Sequence, residues 1–441
     1  MLDHMPIGTR DENWYQDEPG IFLIPPETRR KHAAIFGATG AGKSTLLRNM
    51  IAWDISAGAG ASVVDPHGQL IDDILNHHIP RSRTGDVIYF DPKDPARAIP
   101  LNLLDSPSHD LDGLVVDNVI GIFKKLFPEA FAVGARMEDI FRNSFYALVE
   151  HPSPTSLWNL PRFLTDPTYR AVILRKVMNP AVRNFFESSF NTWTPQFREE
   201  AISPVLNKVR PFLTDPRIRA IIGPAQSAFR FRSVIDGHKI LLCDLSKGAI
   251  GADNAFLLGS LIAMQHKVAA LSRYDVPEHD RVPHPLYIEE AQNFIGDFES
   301  FFQETRKYCV PLTIATQGTE SLSPDDTSAV FTNCGTLISF RVSGADALRL
   351  AGEFAMAIPA ASLQTAPDFS FYVRTLKPLV RRSGTSNSPT QPELVNAYKP
   401  FASPHPLASR ASVIRTSAER WTQPRPELEA KLTRFLARKF N

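Results

Sequence analysis

Cysteine is scarce in this chain of 441 residues: Cys243, Cys309 and Cys334 stand far apart and form no C-x-x-C pair. Neither a zinc cluster nor a disulfide framework fits that spacing, so three buried structural thiols in a reducing cytoplasm are expected. Long apolar runs are lacking too. None approaches the roughly 18 to 20 residues that a helix needs to span a bilayer. The stretch Met1 to Gly20 is acidic and polar, unlike a signal peptide. The expectation is a cytoplasmic chain with no direct membrane insertion. Net charge is almost absent as well, a formal +1, so no global field favours nucleic acid. That balance hides an asymmetry, because about +9 falls on Phe371 to Asn441 and leaves the remainder near −8. Any DNA-binding surface must be local. What is present, 43% hydrophobic and 22% charged residues, is ordinary globular material sufficient for two or three cores.

One stretch states its chemistry. Gly37-Ala38-Thr39-Gly40-Ala41-Gly42-Lys43-Ser44-Thr45 fits the G-x-x-x-x-G-K-[ST] phosphate-binding loop. The apolar run Ala33 to Phe36 precedes it, and the helix-forming run Leu46 to Trp53 follows, which is the strand, loop and helix order that such a loop requires. Glycines at 37, 40 and 42 let backbone N–H groups turn inward around a polyphosphate, at the positive end of the helix dipole. Thr39, Gly40, Ala41, Gly42, Lys43, Ser44 and Thr45 are therefore the candidate ATP-binding residues. Lys43 reaches the β and γ phosphates in this reading, and the Ser44 hydroxyl is a Mg2+ ligand.

Further strands are expected at Gly20 to Pro26, an edge strand stopped by prolines, and at Ala61 to Asp65, Asp86 to Pro92 and Lys239 to Leu245. The last core strands are expected at Gly335 to Val342 and Phe371 to Arg374. Alternation with helical segments points to a parallel sheet. His67, after the strand ending at Asp65, reads as a turn residue more readily than as a nucleotide contact. From Ser106 to Gly237 the apolar positions recur at helical spacing, which indicates an inserted all-helical subdomain. Arg230-Phe231-Arg232 near its end is a weak nucleic-acid signal beside the plainer reading of a solvated edge.

A second nucleotide signature ends the strand His284 to Gln292. One carboxylate at a strand tip holds hydrated magnesium while its neighbour polarises the attacking water, and we assign Glu289 to the metal and Glu290 to the water. Gln317, at the tip of the strand beginning at Pro311, suits a γ-phosphate sensor. Arg306 is a candidate for charge stabilisation supplied from a neighbouring subunit. Residues Arg381 to Arg410, rich in Ser, Pro and Asn, read as a linker. Pro426 to Asn441 reads as a basic amphipathic helix with Leu428, Leu432, Phe435 and Leu436 on one face, docking on its own core or on a neighbour. The expected organisation is a first part of the ATPase core at 1–105, the helical insertion at 106–237, the second core part at 238–380, and linker plus helix at 381–441.

Together these residues resemble the additional-strand P-loop motors of the HerA/FtsK superfamily, most closely the conjugative coupling proteins of type IV secretion systems. Beyond the loop, the resemblance rests on Val64-Asp65-Pro66-His67-Gly68, Val87 to Pro92, Asn102-Leu103-Leu104, Asn207-Lys208-Val209, Leu245 to Gly248, and Arg306-Lys307-Tyr308 before Gln317. It implies a RecA-like α/β core with an all-α insertion, a ring of about six copies, ATP and Mg2+ at subunit interfaces, and DNA translocation. In such proteins the arginine lying eleven residues before the sensor glutamine acts in trans, the place Arg306 holds. Glu289 stands where the family usually has Asp. Coupling proteins usually carry N-terminal transmembrane helices, and without them recruitment to the inner membrane would need a partner. A relaxase, nuclease or secretion-channel protein is the implied kind of partner. Two alternatives share the motor: a protein-secretion or pilus-assembly ATPase, and a nucleotide-controlled scaffold that delivers a nuclease or relaxase to DNA.

Overall fold

The apolar run before the glycine loop becomes a strand in the middle of a twelve-stranded sheet in the computed structural model, which describes residues 4–9, 21–132, 134–376, 380–381, 392–397 and 403–438. In chain order the strands are β1 (Met5–Thr9), β2 (Ile21–Ile24), β3 (His32–Phe36), β4 (Ala61–Asp65), β5 (Val87–Phe90), β6 (Arg97–Ala98), β7 (Ile240–Asp244), β8 (Leu286–Glu289), β9 (Leu312–Thr316), β10 (Cys334–Ser339), β11 (Ser370–Thr375), β12 (Val380–Arg381), β13 (Glu393–Ala397) and β14 (Gln423–Pro424). The chain divides into two compact units. The first comprises Met1–Tyr89, Phe231–Ser246 and Arg273–Ser417.

In this unit the sheet order is β12-β2-β1-β13-β11-β10-β3-β9-β8-β4-β7-β5. Strands β10, β3, β9, β8, β4 and β7 run parallel. Each is buried at every position, as strands covered on both faces must be. That is why they read as continuous apolar runs. The loop strand β3 lies between β10 and β9, and β9 separates it from the carboxylate strand β8. Leu47, Ile51 and Ile55 of helix Lys43–Ser56 share one core with Ile35, Val63 and Tyr287 of the sheet.

Two expectations change on the antiparallel side. The run read as an edge strand is β2, which pairs with both β1 and the two-residue β12 and so is not the outermost strand. The stretch read as linker contains β13, seated between β1 and β11 with Val395 opposite Phe371 and fully buried. Its polar neighbours mask it, and one of the two strands that order it, β1, lies at the other end of the sequence. The remainder of that stretch at 382–391 and 398–402 lies outside the described residues.

The second unit comprises Phe90–Arg230, Lys247–Ser272 and Ala418–Asn441. Helices Asp112–Leu126, Ala135–Val149 and Pro195–Thr214 surround an aromatic core in which the rings of Phe123 and Phe141 lie 5.1 Å apart. Helix Ala252–Leu271 packs on Asp112–Leu126 and is buried around most of its circumference, so it belongs with the helical residues despite its distance in sequence. Among the described residues one helix, Ala252–Asp275, is long and apolar enough to cross a membrane, and 89% of its apolar window is buried inside the fold.

The C-terminal helix Arg425–Ala437 docks on its own unit. Leu428 and Leu432 are buried, whereas Leu436 is exposed. Arg425 donates from Nε to the Arg97 carbonyl at 3.2 Å and from Nη2 to the Pro92 carbonyl at 3.0 Å, beside the short β6–β14 pair. Leu428→Ala should lower the unfolding free energy by about 2 to 4 kcal/mol, through lost burial and the cavity left behind. Urea unfolding followed by circular dichroism checks this value.

Candidate nucleotide site

The phosphate-type loop is held between two strand tips. The Gly37 amide donates to the Thr316 carbonyl at 3.3 Å, and the Ala38 amide donates to the Arg341 carbonyl at 2.7 Å. Gly42 has φ +118°, in the left-handed region, immediately before helix Lys43–Ser56. A Cβ there would also lie 2.9 Å from the Phe340 ring, so glycine is needed for space as well as for torsion. Thr39 and Gly40 are exposed at the crest, Ala41 and Gly42 are buried below, and Thr45 is half-buried in the first turn of the helix.

Lys43 lies under this loop, and its Nζ donates to the carbonyls of Gly37 at 2.6 Å and Ala38 at 3.0 Å. Burial lowers its proton affinity, opposed by the charges of Glu289 and Glu290. The Ser44 hydroxyl donates to Glu289 Oε1 at 2.5 Å. Burial raises the Glu289 pKa, the Ser44 hydrogen bond opposes the rise, and the charge of Asp65 adds to it. A cation between Ser44 and Glu289 would offset that cost. Backbone N–H groups at a helix N-terminus, a buried ammonium, and touching hydroxyl and carboxylate oxygens form a donor set that fits a magnesium nucleotide.

Glu290 has φ +51°, an unusual conformation for a side-chain-bearing residue, and its amide donates to the Ala315 carbonyl at 2.8 Å. Its carboxylate collects three neighbours. Asn293 Nδ2 donates to Oε2 at 3.0 Å and Gln317 Nε2 to Oε1 at 3.3 Å, while His67 Nε2 stands 3.1 Å from Oε1. The turn that carries His67 is built by Asp65, which accepts from the amides of His67 at 2.7 Å and Leu70 at 2.9 Å. His67 is thus a turn residue in its backbone and a contact of Glu290 in its ring. The signal lay in its position after β4, which pairs directly with β8. Asn293 had no such signal.

The family model for the central domain of the helicase HerA matches residues 21–107. No curated protein matches the chain in sequence. Among solved structures, plasmid coupling protein TrwB with the non-hydrolysable ATP analogue ADPNP gives a TM-score of 0.61 at 17% identity, covering 92% of this chain and 98% of that one. TrwB with ADP and Mg2+ gives 0.59 at 17% identity, covering 87% and 89%. VirB4 of Thermoanaerobacter pseudethanolicus gives 0.54 at 12% identity, covering 90% and 97%. The chain has the RecA-like P-loop fold of these proteins.

Within this fold Ser44, Glu289, Glu290 and Gln317 meet around the loop, and Arg306 does not join them. It is exposed near the end of helix Phe298–Lys307, which leads into the start of β9 rather than its tip. Its charge is felt at His32, the first residue of β3, where burial foremost, assisted by Arg306, depresses the pKa to about 4. Phe36, at the loop end, is four residues on, a strand length of about 13 Å.

A second rung ties the loop helix to the carboxylate strand. Tyr287 Oη donates to Asp54 Oδ2 at 2.6 Å, and Arg29 pairs with the other Asp54 oxygen. Asp54 and Tyr287 are almost completely buried. Tyr287 precedes Glu289 by two residues and shares its face of β8. Ser44–Glu289 and Asp54–Tyr287 therefore link the same helix and strand. Asp54→Asn leaves the Arg29 guanidinium without its carboxylate and should cost about 3 to 5 kcal/mol. Guanidinium unfolding of the variant beside the parent tests this figure.

Proposed function

We propose that this P-loop ATPase is a DNA translocase of the conjugative coupling-protein type, working as a ring of about six copies with its ATP sites completed by neighbouring subunits. The observation that carries the reading is the meeting of Ser44, Glu289, Glu290 and Gln317 at the loop while Arg306 lies exposed elsewhere. MgATP, when bound, supplies the phosphoanhydride whose cleavage drives the cycle. The loop amides and Lys43 hold the phosphates, and Ser44 and Glu289 hold the metal. Glu290 orients and polarises water, while Gln317 relates the state of that carboxylate to the β9 tip. Arg306 stabilises developing charge in the adjacent subunit's site. Residues 106–237 form the helical insertion of the motor, and a partner bound at the inner membrane recruits it from the cytoplasm.

Steady-state hydrolysis with and without single- and double-stranded DNA tests this reading. DNA should raise turnover several-fold, and a Lys43→Ala chain should show none. Turnover indifferent to DNA but raised by secretion-channel components would instead favour a protein cargo. Assembly controlled by a non-hydrolysable analogue, without multiple turnover, would favour a scaffold.

A further inference from the structure

The helical unit contains a cavity of about 390 Å³ lined by Arg170, Arg175, Arg183 and Arg198, with Glu187 as the one carboxylate in its wall. Two of these arginines serve the fold. Arg170, only 2% exposed, donates from Nε to Asn191 Oδ1 at 3.0 Å and from Nη1 to the carbonyls of Phe163 and Leu164 at 3.1 Å each. These bonds close the end of helix Asn159–Thr165. Arg198 donates from Nε to the Phe190 carbonyl at 3.2 Å, and from Nη2 to the carbonyls of Asn191 at 2.8 Å and Trp193 at 3.0 Å. Both guanidiniums lie against the Phe190 ring, 4.9 and 5.6 Å from its centroid.

The structural duties stop there. Arg170 Nη2 and Arg198 Nη1 make no hydrogen bond to a described residue. Arg175 is exposed at the rim with no ion pair among the described residues, and Arg183 reaches only Glu187, at 3.4 Å. Burial, followed by the charge of Arg198, pulls the Arg170 pKa down to about 10, which still leaves it charged at neutral pH. The carboxylate that opposes this shift, Asp166, is itself held by Arg162 at 3.1 Å. Four like charges are thus gathered with less than half their compensation.

We propose that this cavity is a binding site for a phosphate group. A single carboxylate would leave most of the excess charge in place, whereas a phosphate offers oxygens on several sides to planar guanidinium forks. A nucleic-acid backbone and a small phosphorylated molecule present the same group, and the site requires neither the DNA-motor reading nor the nucleotide loop.

The test uses the full chain carrying Lys43→Ala, so that the loop contributes little, with and without the rim substitutions Arg175→Gln and Arg183→Gln. One arm measures the anisotropy of a labelled oligothymidylate over a salt series. The other measures the thermal midpoint in inorganic phosphate against chloride of matched ionic strength. A backbone ligand predicts that the double variant binds the oligonucleotide at least about fivefold more weakly, with a salt slope shallower by about 1. A small ligand predicts unchanged oligonucleotide binding and loss of a phosphate-induced rise of roughly 2 °C or more. Glu187→Gln should move the responding arm the other way, by about two- to threefold in affinity. If neither arm distinguishes the rim variant from the parent while both fold with equal midpoints in chloride, the site does not exist.

Discussion

A chain carrying Glu290→Gln is expected to bind ATP within about threefold of the parent and to turn it over at least about a hundredfold more slowly. The substitution keeps the size of the side chain and removes the charge. Asn293 and Gln317 now donate to separate oxygens, at 3.0 and 3.3 Å. A glutamine keeps one acceptor and presents an NH2 in place of the other, so one bond stays as it is and the other is regained when that partner's amide turns its oxygen inward, and the fold around the strand tip should persist. What disappears is the carboxylate that can polarise water. Glu289→Gln should behave differently, because it removes an oxygen that touches Ser44 and would share magnesium with it. Its defect should shrink as magnesium is raised, whereas the Glu290 defect should not. His67→Ala, which removes a neighbour of Glu290 rather than the carboxylate, should cost about five- to tenfold in kcat. Nucleotide affinity by a fluorescent analogue and kcat over a magnesium series separate the three variants. Loss of binding in Glu290→Gln, or a magnesium-rescued defect, would reverse the assignment of the two glutamates.

How far the chain could be read before folding follows from where each signal is stored. The loop was legible because its glycines, lysine and serine are adjacent in sequence and bracketed by a buried strand and a helix. The parallel strands were legible because burial on both faces demands continuous apolar runs. Glu289, Glu290 and Gln317 stand at strand tips, where a change from apolar to polar residues is visible. Strands β1 and β13 were not, since each gains order from a partner hundreds of residues away, as Gly8 does from Ala397. The ring of His67 on Glu290 and the Arg29–Asp54–Tyr287 cluster were hidden for the same reason. Local pattern names the turn or the helix, and only the sheet order brings those side chains together. Helix Ala252–Leu271 shows the converse limit: apolar composition implies burial and does not say in which unit a helix is buried.

Arg306→Ala is expected to reduce ATP turnover at least about a hundredfold while leaving nucleotide binding and the thermal midpoint of the isolated chain close to those of the parent. The side chain is exposed, and burial is what would make its removal costly to the fold. Its place near the first residue of β3 rather than near Gly37 keeps it from its own loop, so any role at an ATP site must cross to another copy. That geometry makes a stronger prediction than the loss itself. Mixing Arg306→Ala with Lys43→Ala, each inactive alone, restores those interfaces in which an intact loop faces an intact arginine. Random assembly of equal amounts gives about a quarter of such interfaces and a comparable fraction of parental turnover if sites act independently. An arginine acting within its own chain gives none, because every chain in the mixture then carries one defect. Arg306→Lys should recover little, since a point charge does not reproduce the planar fork that spans phosphate oxygens. Hydrolysis by the mixture, measured after co-assembly across a range of mixing ratios, should peak near equal proportions and vanish at both ends.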